Sequence, residues 1–296
     1  MTLRVGLVGY GDIAQFHVRH LRAAGAVVVG AVTRQEVGPG LQRYGSLAAL
    51  LPDVDAVTIA VPNHLHASLC IEAIRAGKAV FVEKPLCLTG RELEALEVHL
   101  PVVQAPVHTG FRLRHNPRLH AVRERFRPVR HVRCGYQLGI ERLAAGKPWT
   151  RRRADSGGAF FTLGVHALDL ARWLARAAGQ PLGDLASAES APNESADFPL
   201  VATIRGSLPD GIEIEAEADL RGDAPLRLSV VIDGQEVAND PAVAGPGPEE
   251  ASAPDAEYAA MMADFVHAAE RAEIRPVAIA EVLAVHRDLV AATSAW

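Results

Sequence analysis

Cysteine is scarce in this sequence, and the spacing of its cysteines limits what the chain is. Cys70, Cys87 and Cys134 lie far apart and form no C-x-x-C pair. A secreted domain held together by disulfides would need paired and more numerous cysteines. We therefore interpret the three as buried free thiols in a reducing compartment and expect a cytoplasmic protein.

Signals for export and for membrane insertion are also missing. Residues typical of a strand begin at Leu3 and include Arg4, which does not fit a signal peptide. No uninterrupted apolar run is long enough to cross a bilayer. We expect neither a membrane anchor nor a membrane partner.

An excess of basic residues is absent too. The 30 Lys and Arg residues face 35 Asp and Glu, and the formal net charge is -5. This balance argues against a general nucleic-acid binder, because binding to phosphates draws on surplus Lys and Arg. The 296 residues, 49% of them hydrophobic, are enough for two domains and a large core.

A glycine turn lies between an apolar strand and a helix at the start of the chain. Leu3 to Val8 reads as a buried parallel strand, and Ala14 to Ala24 has helical spacing. The intervening residues, which we predict to bind a dinucleotide, are Gly9, Tyr10, Gly11, Asp12 and Ile13. Glycines there permit a tight turn and a close approach of pyrophosphate to the helix N-terminus. The alternative is a glycine-rich turn with no ligand.

The end of the second strand carries the choice of cofactor. Ala26 to Val32 is the next apolar run, and Thr33 and Arg34 follow it. NAD-binding domains place a carboxylate near this point to accept from the ribose 2′-OH. A hydroxyl and a guanidinium suit a 2′-phosphate instead. The sequence favours NADP, with NAD as the alternative, and a solvated loop arginine is the structural explanation that competes.

A third apolar strand, from Asp55 to Val61, ends at Pro62 and Asn63. We predict that Asn63 caps a helix over 64–76 and that Pro62, Asn63 and His66 lie at the cofactor site. A metal site built on His64, His66 and Cys70 is not favoured. His64 and His66 face different directions on a helix, and no further ligands follow at suitable spacing.

Glu83, Lys84 and Pro85 follow a fourth strand, Ala79 to Val82, and we predict that Glu83 and Lys84 lie at the cofactor site. The carboxyl end of a strand in a doubly wound sheet faces the ligand crevice. A lysine there can donate a proton to a carbonyl or hydroxyl oxygen, and a cis Pro85 would fix its position. The competing interpretation is a surface lysine in a turn.

Alternating strands and helices indicate a parallel sheet with right-handed crossovers up to about residue 108. We expect residues 41–51 to form a helix-like crossover and residues 101–107 to form a fifth strand. Eight arginines follow within 111–133, and we predict that Arg112 and Arg114 line a pocket for an anionic substrate.

The later chain contains a polar stripe on an apolar helix. The apolar positions of 160–174 fit a buried helix, with Thr162, His166 and Asp169 on one face at i, i+4 and i+7. Three polar groups are costly to bury there unless they have partners or a cavity.

Strands predicted over 200–206, 211–220 and 226–232 alternate apolar and polar residues and indicate an antiparallel sheet with one open face. Two amphipathic helices, near 256–272 and 278–292, end the chain.

These features together resemble the glucose–fructose oxidoreductase / inositol dehydrogenase (Gfo/Idh/MocA) family along nearly the whole chain. The matching motifs are Gly9-Tyr-Gly11-Asp-Ile-Ala14, Val61-Pro-Asn63-His-Leu-His66, Glu83-Lys84-Pro85, Gly157-Gly158 and Gly164-Val-His166-Ala-Leu-Asp169. The resemblance implies an α/β protein with a Rossmann domain, 1–108, and a C-terminal α/β domain, 109–296. The second domain would bind substrate and, through an open, mainly antiparallel sheet, form a homo-oligomer.

The resemblance also implies an activity. Family members mostly transfer hydride between nicotinamide and a carbon of a sugar-like substrate: a keto-sugar, an amino-sugar, a sugar nucleotide or a cyclitol. Lys84 matches the family's lysine at the reacting oxygen, and His166 matches its catalytic histidine, so both are expected to reach one small volume. Thr162 stands where the family often has aspartate, and a threonine is no base at neutral pH. We therefore favour reduction; the alternatives are a non-catalytic dinucleotide-binding regulator and an NAD-dependent glycoside hydrolase.

Overall fold

The computed structural model describes residues 2–126, 128–176, 183–185, 189–192, 200–240 and 253–293. The chain forms two compact units. The N-terminal unit is Met1–Gly110 with Glu257–Ile279, and the C-terminal unit is Phe111–Ala256 with Ala280–Trp296. The domain boundaries expected from sequence, 1–108 and 109–296, stay a prediction, because compactness does not show which segment folds independently.

The sheet of the N-terminal unit has six parallel strands, as the alternating pattern predicts. Their order is β3-β2-β1-β4-β5-β6, so β2 and β3 lie on one side of β1 and the later strands lie on the other. Both faces of the central strands are buried, which explains their unbroken apolar sequences. The strands are β1 (Arg4–Val8), β2 (Val27–Val32), β3 (Gln42–Tyr44), β4 (Ala56–Ile59), β5 (Ala79–Val82) and β6 (Val107–Thr109).

Helices cover the two faces of this sheet. They are α1 (Asp12–Ala23), α2 (Leu47–Leu50), α3 (His66–Arg75), α4 (Gly90–His99) and most of α9 (Ala253–Glu270). Thr89 caps α4 in a complete capping box with Glu92. Gly77 adopts a positive φ of 70° just past α3, as expected for a residue that ends a helix.

Three local predictions for this unit are wrong. Residues 41–51 contain β3 before α2, and β3 pairs closely with β2, where a Cβ on Gly30 would lie 2.0 Å from the Gln42 carbonyl oxygen. The last strand, β6, starts at Val107 rather than 101, because Pro101 and Pro106 lack the N–H that a sheet ladder needs. The helix expected over 64–76 begins only at His66, because a 3₁₀ turn over Asn63–Leu65 precedes α3.

The sheet of the C-terminal unit is mixed and mostly antiparallel. Its order is β12-β11-β7-β10-β9-β8, and β7 and β10 are the one parallel pair among the described strands of this sheet. Edge strands β8 and β12 are additions to the strands expected from sequence. The strands are β7 (His131–Gln137), β8 (Glu189–Pro192), β9 (Val201–Ser207), β10 (Glu213–Asp219), β11 (Arg227–Ile232) and β12 (Gln235–Asp240).

The apolar face of this sheet packs on a buried helix. A π-helical turn, Phe160–Gly164, leads into α8 (Val165–Ala175), which lies against β7 and β10. The other helices of the unit are α5 (Pro117–Arg125), α6 (Ile140–Ala144), α7 (Arg153–Ser156) and most of α10 (Pro276–Thr293). Within the ranges described above, no helix is both long and apolar enough to cross a membrane.

The opposite face of the sheet is polar, and its charges are paired. Arg133 on β7 lies 3.0 Å from Glu217, and Arg205 on β9 lies 2.8 Å from Glu215. A pocket of about 270 Å³ lies on this face and is lined by residues of β7, β10 and β11, among them Gly135, Glu217 and Ser229. In the acidic stripe of β10, formed by Glu213, Glu215 and Glu217, the last two glutamates thus have a basic partner within the sheet itself.

Candidate functional site

The glycine turn of the N-terminal unit has the geometry that a phosphate site needs. Gly9 has a φ of +95°, and a Cβ there would lie 2.2 Å from the carbonyl oxygen of Ala60. Gly11 precedes α1, and a Cβ added to it would meet no atom within 4 Å. Only glycine suits the first position, and open space lies in front of the second. The N–H groups at the start of α1, which a helix leaves without an intrahelical partner, thus lie beside open space.

The end of β2 is tied to this turn. The Gly9 N–H donates to the carbonyl oxygen of Val32 at 3.0 Å, so Thr33 and Arg34 follow directly beside the glycine loop. The Thr33 hydroxyl accepts from the backbone N–H of Gln35 at 3.1 Å. Arg34 is exposed. A guanidinium in this position is accessible to an anionic ligand.

The loop after β4 contains a buried histidine held by two backbone carbonyls. His66 Nδ1 lies 2.6 Å from the Pro85 oxygen, and Nε2 lies 2.9 Å from the Val61 oxygen. Burial lowers the pKa of His66, while the two carbonyls and Glu83 act in the opposite direction. His66 thus connects the loop after β4 with the loop after β5. Its predicted role in cofactor binding stays a prediction, as do those of Pro62 and Asn63.

The segment Glu83-Lys84-Pro85 follows β5 at the carboxyl edge of the sheet. Glu83 is buried, and its Oε1 lies 2.9 Å from Nε2 of His17 on α1. Burial would raise the pKa of Glu83, but the hydrogen bond from His17 and the charge of Lys84 outweigh it and lower the pKa. Glu83 is therefore ionised beside Lys84. The Lys84–Pro85 peptide is cis, as the sequence suggests.

In the C-terminal unit, the π-helical turn and α8 carry the polar stripe. Thr162, His166 and Asp169 are all buried, as the helical pattern indicates. The ring of Tyr136 on β7 stacks on His166 with centroids 5.2 Å apart. Arg112 donates from Nη2 to the Tyr136 hydroxyl oxygen at 2.6 Å. A π turn often marks a functional site, because it redirects the side chains that it carries.

Asp169 belongs to a buried ion network. Its carboxylate accepts three hydrogen bonds from Arg114, at 3.1, 3.1 and 2.5 Å. Arg114 also donates to Glu281 on α10 at 2.6 Å, and Arg176 contacts the same carboxylate. Burial raises the pKa of Asp169, and Arg114 opposes this rise. The prediction that Arg114 offers its charge to an anionic substrate is wrong, because two carboxylates already neutralise it.

Sequence reasoning missed two residues that contact the predicted site residues. His17 binds Glu83 across 66 positions, and Tyr136 stacks on His166 across 30. The available signal for His17 was a histidine on the apolar face of a predicted helix, and the structure shows that its side chain is fully buried. Tyr136 carried no such signal, since an aromatic residue in an alternating strand is ordinary core.

The carboxyl ends of β1, β2, β4 and β5 meet along one edge of the parallel sheet. This brings together the glycine turn, Thr33, Pro62 and the segment with Lys84. Lys84 belongs to the N-terminal unit and His166 to the C-terminal unit, and their predicted meeting stays a prediction. In the part of the chain that is described, no three His, Cys, Asp or Glu side chains form a group that could hold a metal ion.

Two family models match the chain in sequence. One, described as an oxidoreductase family with an NAD-binding Rossmann fold, covers residues 3–111. The other, described as the GFO/IDH/MocA C-terminal domain, covers residues 125–235. The two matches correspond to the two sheets and extend over well more than half of the chain.

Individual proteins agree with these matches. Galactose 1-dehydrogenase of Pseudomonas fluorescens is 30% identical over 73% of this chain and 70% of its own length. Several other curated relatives are matched over little more than half of their length.

Solved structures share the fold. Myo-inositol 2-dehydrogenase of Lactobacillus plantarum superposes with a TM-score of 0.79 at 18% identity, over 99% of this chain and 97% of its own. GenD2 from gentamicin A biosynthesis, solved in complex with NAD, superposes with a TM-score of 0.83 at 22% identity, over 99% and 93%.

Proposed function

The chain belongs to the Gfo/Idh/MocA family of NAD(P)-dependent sugar and inositol dehydrogenases, and on this premise we propose that it reduces a carbonyl on a sugar-like substrate. The observation that carries the proposal is the retention of both proton-handling residues of the family pattern. Lys84 is the second residue after β5, and His166 lies on the buried helix α8. The substrate class is a keto-sugar, amino-sugar, sugar nucleotide or cyclitol.

The N-terminal unit would hold NADP(H). The glycine turn and the start of α1 suit the pyrophosphate, and Tyr10, Asp12 and Ile13 line the same turn. The exposed Arg34 beside Thr33 suits a 2′-phosphate, since no carboxylate follows β2 directly. NAD is the alternative, because GenD2 binds NAD.

The proton chemistry follows from the side chains. A dinucleotide held by the glycine turn would supply the hydride for the carbonyl carbon. Lys84, as an ammonium, donates a proton to the carbonyl oxygen, and the ionised Glu83 beside it favours that charged form. His166 orients the substrate or relays the replacement proton, and Thr162 contributes a hydrogen bond but no base. A site with a proton donor and without a carboxylate base at position 162 is better suited to reduction.

A dinucleotide-binding regulator is the second candidate, and Thr162 is the observation that favours it. A regulator would bind NADPH without consuming it, and a glycoside hydrolase of the family type would show no net cofactor turnover. Titrating NADPH and NADH by fluorescence, then screening keto-sugars and keto-inositols for cofactor oxidation, separates the three functions. Oxidation of D-galactose and myo-inositol with NAD(P)+ is the reverse assay.

The residue-level test is Lys84→Met. Because positioned proton transfer is worth about 10²–10⁴ in rate, we expect turnover to fall at least about 10²-fold while NADPH affinity stays nearly unchanged. Lys147→Met, in the other unit, is the matched control. Near-native turnover in Lys84→Met would exclude the lysine as proton donor.

We also propose a homo-oligomer formed through the open face of the C-terminal sheet. The pairing of Arg133 and Arg205 with the acidic stripe supports it, since two copies of an unpaired acidic face would repel each other. Sedimentation at micromolar concentration tests this, and a 31.5 kDa monomer alone would contradict it. The three cysteines are buried and free, which supports the proposed cytoplasmic location.

A further inference from the structure

Both chain neighbours of Lys84 are held by buried histidines. Glu83 precedes the lysine, and its carboxylate is bound by His17 from α1 at 2.9 Å. Pro85 follows the lysine, and its carbonyl oxygen is bound by His66 from α3 at 2.6 Å. The two imidazoles come from different helices and contact the residues on either side of Lys84.

The His17 contact is specific in its chemistry. His17 is completely buried, and its ring packs edge-on against Phe81 with centroids 5.2 Å apart. Nδ1 has no hydrogen-bond partner among the described residues. If the ring proton were on Nδ1, that N–H would be buried without an acceptor, and the lone pair of Nε2 would face the Glu83 carboxylate. With the proton on Nε2, only the acceptor Nδ1 is left without a partner, which costs less free energy. We therefore assign the proton to Nε2. His17 then donates to Glu83.

The same helix connects this contact to the glycine turn. His17 lies on α1, whose first residue is Asp12, directly after Gly11. The helix that suits the pyrophosphate therefore also holds the residue before Lys84. Through one hydrogen bond, His17 connects the helix after the glycine turn with the segment that contains Lys84.

His66 supports the other side of the lysine. Its Nδ1 contacts the Pro85 oxygen at 2.6 Å and its Nε2 the Val61 oxygen at 2.9 Å. A neutral imidazole carries one N–H, which the shorter contact assigns to Nδ1. The second contact then forms fully only when the ring is protonated. In either form, the carbonyl of Pro85 has its donor.

We propose that His17 and His66 are positioning residues for Lys84, each fixing one of the residues that flank it. The proposal rests on the proposed function for its catalytic consequence, because it assigns the two histidines an effect through the lysine alone. Neither histidine needs to touch cofactor or substrate.

The test uses a rare feature of the composition. The chain has three lysines, Lys78, Lys84 and Lys147. Reductive methylation with ¹³C-formaldehyde therefore gives three lysine NMR signals besides the N-terminal amine, and the Lys84→Arg variant assigns the one of interest. No substrate is required.

We expect His17→Phe and His66→Phe to shift or broaden the Lys84 signal and to leave those of Lys78 and Lys147 in place. His17→Gln keeps an N–H donor for Glu83 and should restore most of the native signal. Leu50→Ala, a core variant on α2, which packs against β2 and β3, controls for general loosening and should leave the Lys84 signal unchanged. If His17→Phe does not fold, Glu83→Gln weakens the same contact from its other end.

Kinetics supply the second readout. With a keto-sugar that the screen identifies, His17→Phe should lower kcat by about 10²-fold, as misplacement of a reacting group by about 1 Å does. The Kd for NADPH should stay within about twofold. Added to Lys84→Met, the same change should cost almost nothing further, because both act through one residue.

An unchanged Lys84 signal in both folded phenylalanine variants would overturn the inference, and so would additive losses in the double variant. The proposed function fails separately. If the Lys84 signal moves as expected but Lys84→Met keeps native turnover, the histidines do position the lysine and the lysine is not the proton donor.

Discussion

The ion network of the C-terminal unit gives the sharpest stability prediction. Arg114→Met leaves the carboxylate of Asp169, 1% exposed, without its three hydrogen bonds. Breaking a buried pair by removing one partner costs about 3–5 kcal/mol. Asp169→Asn is the opposite case, because Arg114 keeps Glu281 and loses only charge-assisted bonds to the lost oxygen. Its cost should be about 1.5–3 kcal/mol.

The order of these variants is the first measurement. For a domain of 150–250 residues, 1 kcal/mol shifts the melting temperature by about 2–4 °C. Arg114→Met should therefore lower it by roughly 6–20 °C, and Asp169→Asn by less. The double variant Arg114→Met/Asp169→Leu should recover much of the loss, because apolar residues of similar volume replace a buried ion pair at little cost. Glu281 keeps Arg176 as a partner in all of these proteins.

The pH dependence is the second measurement. Burial raises the pKa of Asp169, and without Arg114 nothing comparable opposes it. The folded state then holds the carboxyl proton more tightly than the unfolded state, where the group titrates near 3.9. Stability falls with rising pH while the folded state binds the extra proton. Urea midpoints should thus show a larger deficit for Arg114→Met at pH 8 than at pH 5. A greater loss in Asp169→Asn, or a deficit independent of pH, would refute this reasoning.

Three further outcomes are expected. Arg34→Ala should weaken NADPH by about 1.5–3 kcal/mol, the value of a charge-assisted bond, with little effect on NADH; equal losses in a fluorescence titration would contradict the 2′-phosphate site. Gly9→Ala should destabilise the fold because its Cβ would clash with the Ala60 oxygen, whereas Gly11→Ala should keep the melting temperature and lose only cofactor affinity. Since the pKa of Glu83 lies below its ordinary value, its contribution to stability is present above about pH 4.5 and is lost as pH falls through the folded-state pKa; the urea midpoint of Glu83→Gln should approach that of the native protein at pH 4 and fall below it at pH 7.

Local patterns predicted most of the fold. The strand from Ala79 to Val82 has the bounds expected for it, because a buried strand between Gly77 and Pro85 has clear limits on both sides. The predictions were wrong where the residues of a segment favour one structure and its neighbours in the fold favour another. Residues 41–51 contain helix formers. However, the close approach of Gly30 to Gln42 lets the three-residue strand β3 pair with β2 at the edge of the sheet, and the helix begins only after that strand.

Long-range partners were beyond the reach of periodicity. The sequence shows that Asp169 needs a partner, yet Glu281, the other carboxylate on Arg114, lies 167 positions from that arginine. The contact between His17 and Glu83 likewise depends on how α1 lies over β5. Side-chain pairs of this kind are fixed by packing in three dimensions, and no spacing rule encodes them.

The polar stripe of α8 has two ends with different chemistry, and this bears on the direction of the reaction. Asp169 is occupied by Arg114, so its carboxylate is not available as a base. His166 stacks on Tyr136, and Thr162 lies one turn earlier on the same stripe. An aspartate introduced at position 162 would be buried as Asp169 is, and burial would raise its pKa towards the range of a useful base. Because Arg114 is already engaged by two carboxylates, it could not oppose that rise.

Thr162→Asp should therefore increase the oxidative rate relative to the reductive rate, and Thr162→Val should reduce turnover far less than Lys84→Met. An unchanged ratio in Thr162→Asp would mean that the residue at position 162 does not set the direction of hydride transfer.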